Sequence, residues 1–198
     1  MGKIKQLYIY GAGGHGKVVK DVAIDNGYKK ILFVDDGTEF GFNEFVKNVK
    51  KANVFIAIGN NHIRKEKQKL LETLGYNIVT LIHSSAIIGS NVVIEKGVVI
   101  MPNVIINTNS IIKKGVILNS ACVIEHDCFI DEFAHISPTV GVAGGVKIGK
   151  LTHLGIGSKI KENINIGNHV IIGAGAVVIN NIEDNKIVAG VPAKEIKE

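Results

Sequence analysis

Residues 105–136 read IINTNSIIKKGVILNSACVIEHDCFIDEFAHI, and within them an aliphatic side chain returns at every sixth place: Ile106, Ile112, Leu118, Ile124, Ile130 and Ile136. Outward in both directions the pattern continues without a miss from Ile82 to Val178, seventeen consecutive hexads. Four places after each aliphatic stands a mostly small or β-branched residue, such as Ala86, Ser110, Cys122, Cys128, Ala134 or Thr152, and glycine often follows the aliphatic, as at Gly89, Gly149 and Gly167. Period six suits neither a helix nor an alternating strand. It suits a solenoid of short strands and tight turns with three hexads per triangular coil, because each face then buries one aliphatic and one small residue against the neighbouring coils. Seventeen hexads make a little under six coils, a prism of roughly 27 Å at ~4.8 Å per strand spacing.

Upstream of this array the pattern changes. KQLYIYG (5–11) and NVFIAIG (53–59) are apolar runs that end in glycine, and KKILFVDD (29–36) ends in paired acids. NHIRKEKQKLLETLGY (61–76) spaces Ile63, Leu70, Leu71 and Leu74 for one helix face before Gly75 stops it. Strands alternating with helices imply a small parallel sheet. The expected division is a Rossmann-like unit over 1–80, a β-helix over 81–183 and a tail over 184–198.

Composition narrows the function. A net charge of +5 suggests a modest attraction for anions. The lysines are scattered, aromatics make up 6% and tryptophan is absent, so a phosphorylated small molecule is favoured over nucleic acid. The longest apolar runs are too short and glycine-rich to span a bilayer, and the start lacks a signal-peptide pattern, so a cytoplasmic protein is expected with no membrane partner. Cys122 and Cys128 form no CxxC pair and fall on the inward small position, which makes them packing residues rather than nucleophiles.

In YGAGGHGK (10–17), Gly11, Gly13 and Gly16 satisfy GxGxxG directly after a strand, and Asp35 and Asp36 close the next one. Such a loop brings backbone N–H groups and a helix N-terminus to phosphate, and the acids can hold a hydroxyl or a base. Only about 80 residues precede the solenoid, half of what a dinucleotide requires, so a single nucleoside diphosphate is expected. His15 either touches the phosphate or caps the helix.

Residues 18 apart occupy equivalent places on successive coils. One outward column reads Val99, Ile117, His135, His153, Ile171, a stripe expected to pack against another subunit. His126 instead takes a corner, with Gly144 above it in its column and Glu125 and Asp127 beside it. A neighbouring carboxylate can fix the tautomer and raise the basicity of the free nitrogen, as a general base requires.

YGAGGHGK, FVDD (33–36), IAIGNN (56–61), VIEHD (123–127), EFAH (132–135) and AGVPAK (189–194) together resemble the nucleotide-sugar acetyltransferases that join a small Rossmann-like domain to hexapeptide repeats, above all the UDP-4-amino-sugar N-acetyltransferases of the bacillosamine pathway. The resemblance runs over essentially the whole chain. It implies that the solenoid is a left-handed parallel β-helix, that the chain is a homotrimer with active sites between subunits, and that acetyl-CoA is the co-substrate, with no metal. By the same resemblance His126 takes the proton of the sugar amine. Asp127 orients it, where some relatives carry Glu, and Glu125 is the alternative. His135, Gly144, Ile156 and Ala174 would meet acetyl-CoA, the Gly144 backbone facing the developing oxyanion. Gly13, Gly14, His15, Asp35, Asp36, Ile56 and Gly59 would hold the nucleotide sugar, and the tail would close over the CoA.

Three other readings compete. O-acetylation of a sialic-acid-like sugar would use the same base and groove. A zinc hydratase would use His135 and His153, stacked one coil apart, but the HxxxxH pattern of that family is missing. A non-catalytic nucleotide-sugar-binding scaffold would use the repeats as a surface.

Overall fold

The computed structural model describes residues 5–196. It begins with β1 (Gln6–Tyr10), α1 (Gly14–Asp25), β2 (Lys30–Val34), α2 (Phe42–Asn48), β3 (Asn53–Ile56), α3 (Asn61–Thr73) and β4 (Asn77–Ile78). The four strands form one parallel sheet in the order β2-β1-β3-β4. Successive strand side chains point to opposite faces. Leu7, Ile9 and Phe55 therefore join Val19, Val22 and Ala23 of α1 in a core continuous with the solenoid, while Tyr10, Val54 and Ile56 pack with Phe45 and Leu71 in a second cluster. The neighbours of β1 lie on opposite sides of it, so the loops leaving β1 and β3 part and open a crevice at their carboxyl ends.

The hexads fold as their period requires. Seventeen two-residue strands, Leu81–Ile82 through Val177–Val178, stack into three parallel sheets. Each strand pairs with the one 18 residues on: Ile117 with His135 on the first face, Val123 with Gly141 on the second, Phe129 with Lys147 on the third. The first face ends with Ile187–Ala189 and the antiparallel return Lys194–Glu195. Ile106, Ile112, Leu118, Ile124, Ile130 and Ile136 are fully buried, as are Val98, Val104, Val116 and Cys122 of the small position. Two polar members of that position are satisfied internally, the Ser110 hydroxyl donating to the Glu125 carbonyl at 2.8 Å and Thr152 to Gly167 at 2.7 Å, whereas the buried Ser158 hydroxyl has no partner among the described residues.

Every sixth residue from Asn91 to Gly175 turns the corner at positive φ. Asparagine and glycine suit that conformation, but Ala121, Phe133 and Leu151 adopt it too, at roughly 1–2 kcal/mol each. The stacking offsets this, because each corner N–H from Asn103 onward donates to the coil before, as Ala121 to Pro102 (2.9 Å), Phe133 to Lys114 (3.0 Å) and Leu151 to Glu132 (3.0 Å).

Two expectations about surfaces are overturned. The column Val99, Ile117, His135, His153 is not left for a second subunit: Val99 and Ile117 are at most 1% exposed, the histidines are half-buried and only Ile171 lies open, because the N-terminal unit docks on this first face. The docking helix also presents a different side from the one its apolar spacing suggests. Ile63, Leu70 and Leu74 of the α3 region are exposed, whereas Asn61, Arg64, Gln68 and Leu71 are buried. The reason is the surface that α3 meets, the corner between the third and first faces, which offers backbone carbonyls. Arg64, 1% exposed, donates to Gly115 (2.8 Å), Ile58 (3.0 Å), Gly59 (3.1 Å) and Phe133 (2.7 Å), and to the Asn61 side chain (2.8 Å). Besides Ile171, outward apolar residues left exposed or partly exposed include Ile87, Ile105 and Val123 on the second face and Val93, Ile111 and Phe129 on the third.

Candidate functional site

The crevice at the ends of β1 and β3 is about 410 Å³ and is lined by Tyr10, Gly11, Gly13, Gly14, His15, Asp35, Asp36, Ala57, Ile58, Gly59, Ile63 and Lys67. Gly11 and Gly16 build its wall: a Cβ on Gly16 would sit 2.0 Å from the Gly11 carbonyl oxygen, and Gly11 has φ +109°. Gly13 and Gly14 face open space. Gly13 caps α1 without a side-chain bond, and the first turn of α1 carries no acid, so its N–H groups and dipole are directed at the crevice. Asp35 straps the loop through Ala12 N–H (2.7 Å) and Gly37 N–H (2.9 Å). Asp36 accepts from the Tyr10 hydroxyl (2.5 Å) and Phe42 N–H (2.8 Å). The Tyr10 bond is the first cause holding its carboxyl below the usual range, and burial and that same bond push the Tyr10 phenol up.

Next to the crevice His15, His135 and His153 form a half-buried series. The His135 and His153 rings are parallel with centroids 4.7 Å apart, and His15 is 6.4 Å from His135. Burial, and then the Arg64 charge, hold His15 down to about 4; burial, His153, Arg64 and His15 hold His135 down to about 3. All three are neutral at physiological pH. The His153 Nε2 is 2.8 Å from the Ser137 hydroxyl and the His135 Nε2 is 3.3 Å from the Asn119 amide. Among the described residues no group of three His, Cys, Asp or Glu side chains is placed to hold a metal ion.

His126 and Asp127 form the turn between the second and third faces. The imidazole Nδ1 lies 2.8 Å from Asp127 Oδ2, and both side chains are more than half exposed. With Nδ1–H donating to the carboxylate, Nε2 is left bare. That bond, followed by one from Asn109, keeps Asp127 below the usual carboxylate range. Glu125 is engaged elsewhere, accepting from Asn107 at 2.8 Å. Gly144 covers the ring closely, since a Cβ there would come within 2.7 Å of both Cε1 and Nε2. The Cys122 and Cys128 thiols are buried, Cys122 pushed up to about 12, which suits neither for nucleophilic attack.

The expected residues therefore fall into three places. Gly13, Gly14, His15, Asp35, Asp36 and Gly59 converge on the crevice. Ile56 does not: at 2% exposure it belongs to the second core cluster, because β3 lies between β1 and β4 and is covered on both faces. His126, Asp127 and Gly144 share one corner. Ile156 and Ala174 are exposed on the neighbouring corner, between the first and second faces, and His135 faces the N-terminal unit instead of the His126 corner. Within one chain the crevice and His126 lie on opposite sides of the prism, since the crevice borders the first face and His126 turns between the other two. Sequence reasoning missed Tyr10, Ala57, Ile58, Ile63 and Lys67 in the crevice. Ile63 and Lys67 are four apart on α3, a spacing that places both on one helix side once Arg64 is known to face the solenoid.

Comparison with known proteins follows this geometry. Residues 6–71 match the family model of the PglD N-terminal domain, and residues 85–120 match that of bacterial transferase hexapeptide repeats. The acetyltransferase domain of PglB from Neisseria gonorrhoeae FA1090 superposes with a TM-score of 0.93 at 35% identity over 97% of this chain and 100% of that one, and it has also been solved with acetyl coenzyme A. PerB from Caulobacter crescentus, solved with CoA and GDP-perosamine, gives a TM-score of 0.93 at 31% identity over 98% of this chain and 99% of its own. A UDP-N-acetylbacillosamine N-acetyltransferase of Bacillus subtilis (strain 168) is 34% identical over 108 residues, 46% of this chain; the match spans about half, 49%, of that relative's length.

Proposed function

This chain belongs to the PglD-type hexapeptide-repeat acetyltransferases, and from that premise we propose that it moves an acetyl group from acetyl-CoA to the 4-amino group of a nucleotide-linked amino sugar, with a uridine diphosphate sugar favoured. The observation that carries the reading is the His126–Asp127 pair, 2.8 Å apart on an open corner beneath Gly144. The neutral amine attacks the thioester carbonyl carbon, and the carbonyl electron pair moves onto oxygen. The Gly144 N–H, which donates to no group among the described residues, is the candidate donor to that oxyanion. His126 Nε2 takes the proton lost by the amine, collapse of the intermediate breaks the C–S bond, and His126 returns the proton to the departing CoA thiolate. No covalent enzyme intermediate is required, in keeping with the buried cysteines.

In this reading the crevice binds the nucleotide, with the diphosphate at the Gly13–Gly14 loop and Asp35, Asp36, His15 and Gly59 around it. Ile156, Ala174 and the tail line the CoA path, with His135 at the far side of the nucleotide. The base and the crevice of one chain face apart, so a second copy must supply the missing half. Three copies packed through the apolar residues that flank the His126 corner would both bury those residues and bring the halves together. The test is release of free thiol from acetyl-CoA in the presence of a panel of nucleotide 4-amino sugars. Thiol release is expected with an amino sugar and not with its 4-hydroxy counterpart. His126→Ala should lower turnover by about 10²-fold or more with circular dichroism and nucleotide-sugar affinity unchanged. Absence of thiol release with every amino sugar, or near-normal turnover in His126→Ala, ends the reading.

A further inference from the structure

The support of Asp127 comes from outside its own turn. Its Oδ2 is held by His126, and its Oδ1 accepts from the Asn109 amide at 3.1 Å. Asn109 is itself held, its Oδ1 accepting from Asn91 at 3.2 Å. Asn91, Asn109 and Asp127 occupy the same place on three successive coils, at φ +58°, +61° and +59°. Equal backbone conformation at one coil spacing makes the side chains parallel, and an amide can pass a hydrogen bond along such a column by accepting on its oxygen and donating through its nitrogen. The next residue in the column is Gly145, which has no side chain, so the ladder ends at Asp127.

We propose that Asn109 is a positioning residue for the transfer reaction: it fixes the plane of the Asp127 carboxylate so that Oδ2 meets His126 Nδ1, and thereby holds the base in the tautomer with Nε2 free. Asn91 steadies Asn109 in the same way one coil further down. The inference rests on the acetyltransferase reading and on His126 as its base. Without the Asn109 donor, an exposed Asp127 at a positive-φ corner turns between several orientations, and the ring loses its fixed partner for part of the time. A hydrogen bond to a charged group carries enough energy to matter here.

Asn109→Gly is the suitable variant, because glycine already makes the equivalent corner at Gly97, Gly115 and Gly145. It deletes the amide without straining the turn. The expected result is a kcat lowered by roughly threefold to tenfold with unchanged KM for both substrates, and Asn109→Asp, which replaces the donor by a second carboxylate, should lose at least as much. In an Asp127→Asn background Asn109→Gly should change kcat by less than about twofold, because a residue acting only through Asp127 is silent once that carboxylate is gone. Nitrogen-15 spectra of the His126 ring should show a fixed Nδ1–H tautomer in the parent protein and a mixture in Asn109→Gly. An equal loss in both backgrounds, or an unchanged kcat together with an unchanged ring spectrum, overturns the inference. A parent protein that releases no thiol overturns the acetyltransferase reading instead, and the ring spectrum still reports on the ladder.

Discussion

His126 is held by two residues of opposite kind, a carboxylate that orients it and a glycine that makes room for it. A methyl group on Gly144 would come within 2.7 Å of the ring, so the imidazole must tilt away and lose its 2.8 Å bond to Asp127. Gly144→Ala should therefore lower kcat by about tenfold or more while leaving the thermal midpoint almost unchanged, because Gly144 does not need a positive φ. A midpoint drop without a kcat effect would mean that the close approach is only packing. Much of this corner was legible from the hexad register, which placed Gly144 over His126 and put Asp127 next to it. The roles of the two acids were not, since Glu125 and Asp127 flank the histidine equally in sequence and only the coil below, through Asn107 and Asn109, separates them. Ile56 was placed at the nucleotide by the resemblance alone, and the structure puts its side chain in the second core cluster, where sheet order covers it.

Among the elements, α3 carries the most consequence. Its buried face holds a cation whose donors end on carbonyls of the solenoid corner and of the crevice loop. Burial lowers the guanidinium to about 9, and it remains charged at neutral pH. Arg64→Met would keep the bulk and orphan several carbonyls, with an expected cost of about 3 kcal/mol in urea unfolding; a loss below about 1 kcal/mol would contradict an anchoring role for Arg64. The apolar spacing of this helix pointed to the wrong side because a helix that docks on a row of peptide carbonyls buries polar residues. The histidines beneath it make the junction sensitive to acid. His15 and His135 titrate near 4 and 3 when folded, against 6.5 for an unperturbed imidazole. In the interval between, the unfolded chain binds more protons, so their contribution is complete above about pH 6.5 and is lost as pH falls toward those folded values, by up to about 1.4 kcal/mol per pH unit for each ring. Urea midpoints should fall between pH 7 and pH 4.5, less steeply in His135→Gln. A midpoint flat across that interval would contradict the assignment.

At the scale of the whole molecule the six-residue period specified the solenoid, its three faces and its coil count, because three hexads close one triangular coil. It did not specify where the N-terminal unit sits. That unit covers the stripe that looked like a subunit contact and leaves open the apolar residues on the other two faces. The proposed consequence is an active site divided between chains, in which the His126 corner of one copy would complete the nucleotide crevice of another. Co-expression of two differently tagged variants tests this directly. His126→Ala removes the proposed base, and Gly14→Glu puts a carboxylate at the α1 N-terminus, where it suits the helix dipole but would repel the proposed diphosphate. Each variant alone should be nearly inactive. Mixed trimers purified through both tags should recover about one third of the parent activity, since each pairs an intact crevice with an intact base at one of its three junctions. Mixed oligomers no more active than either variant alone would contradict a site shared between copies.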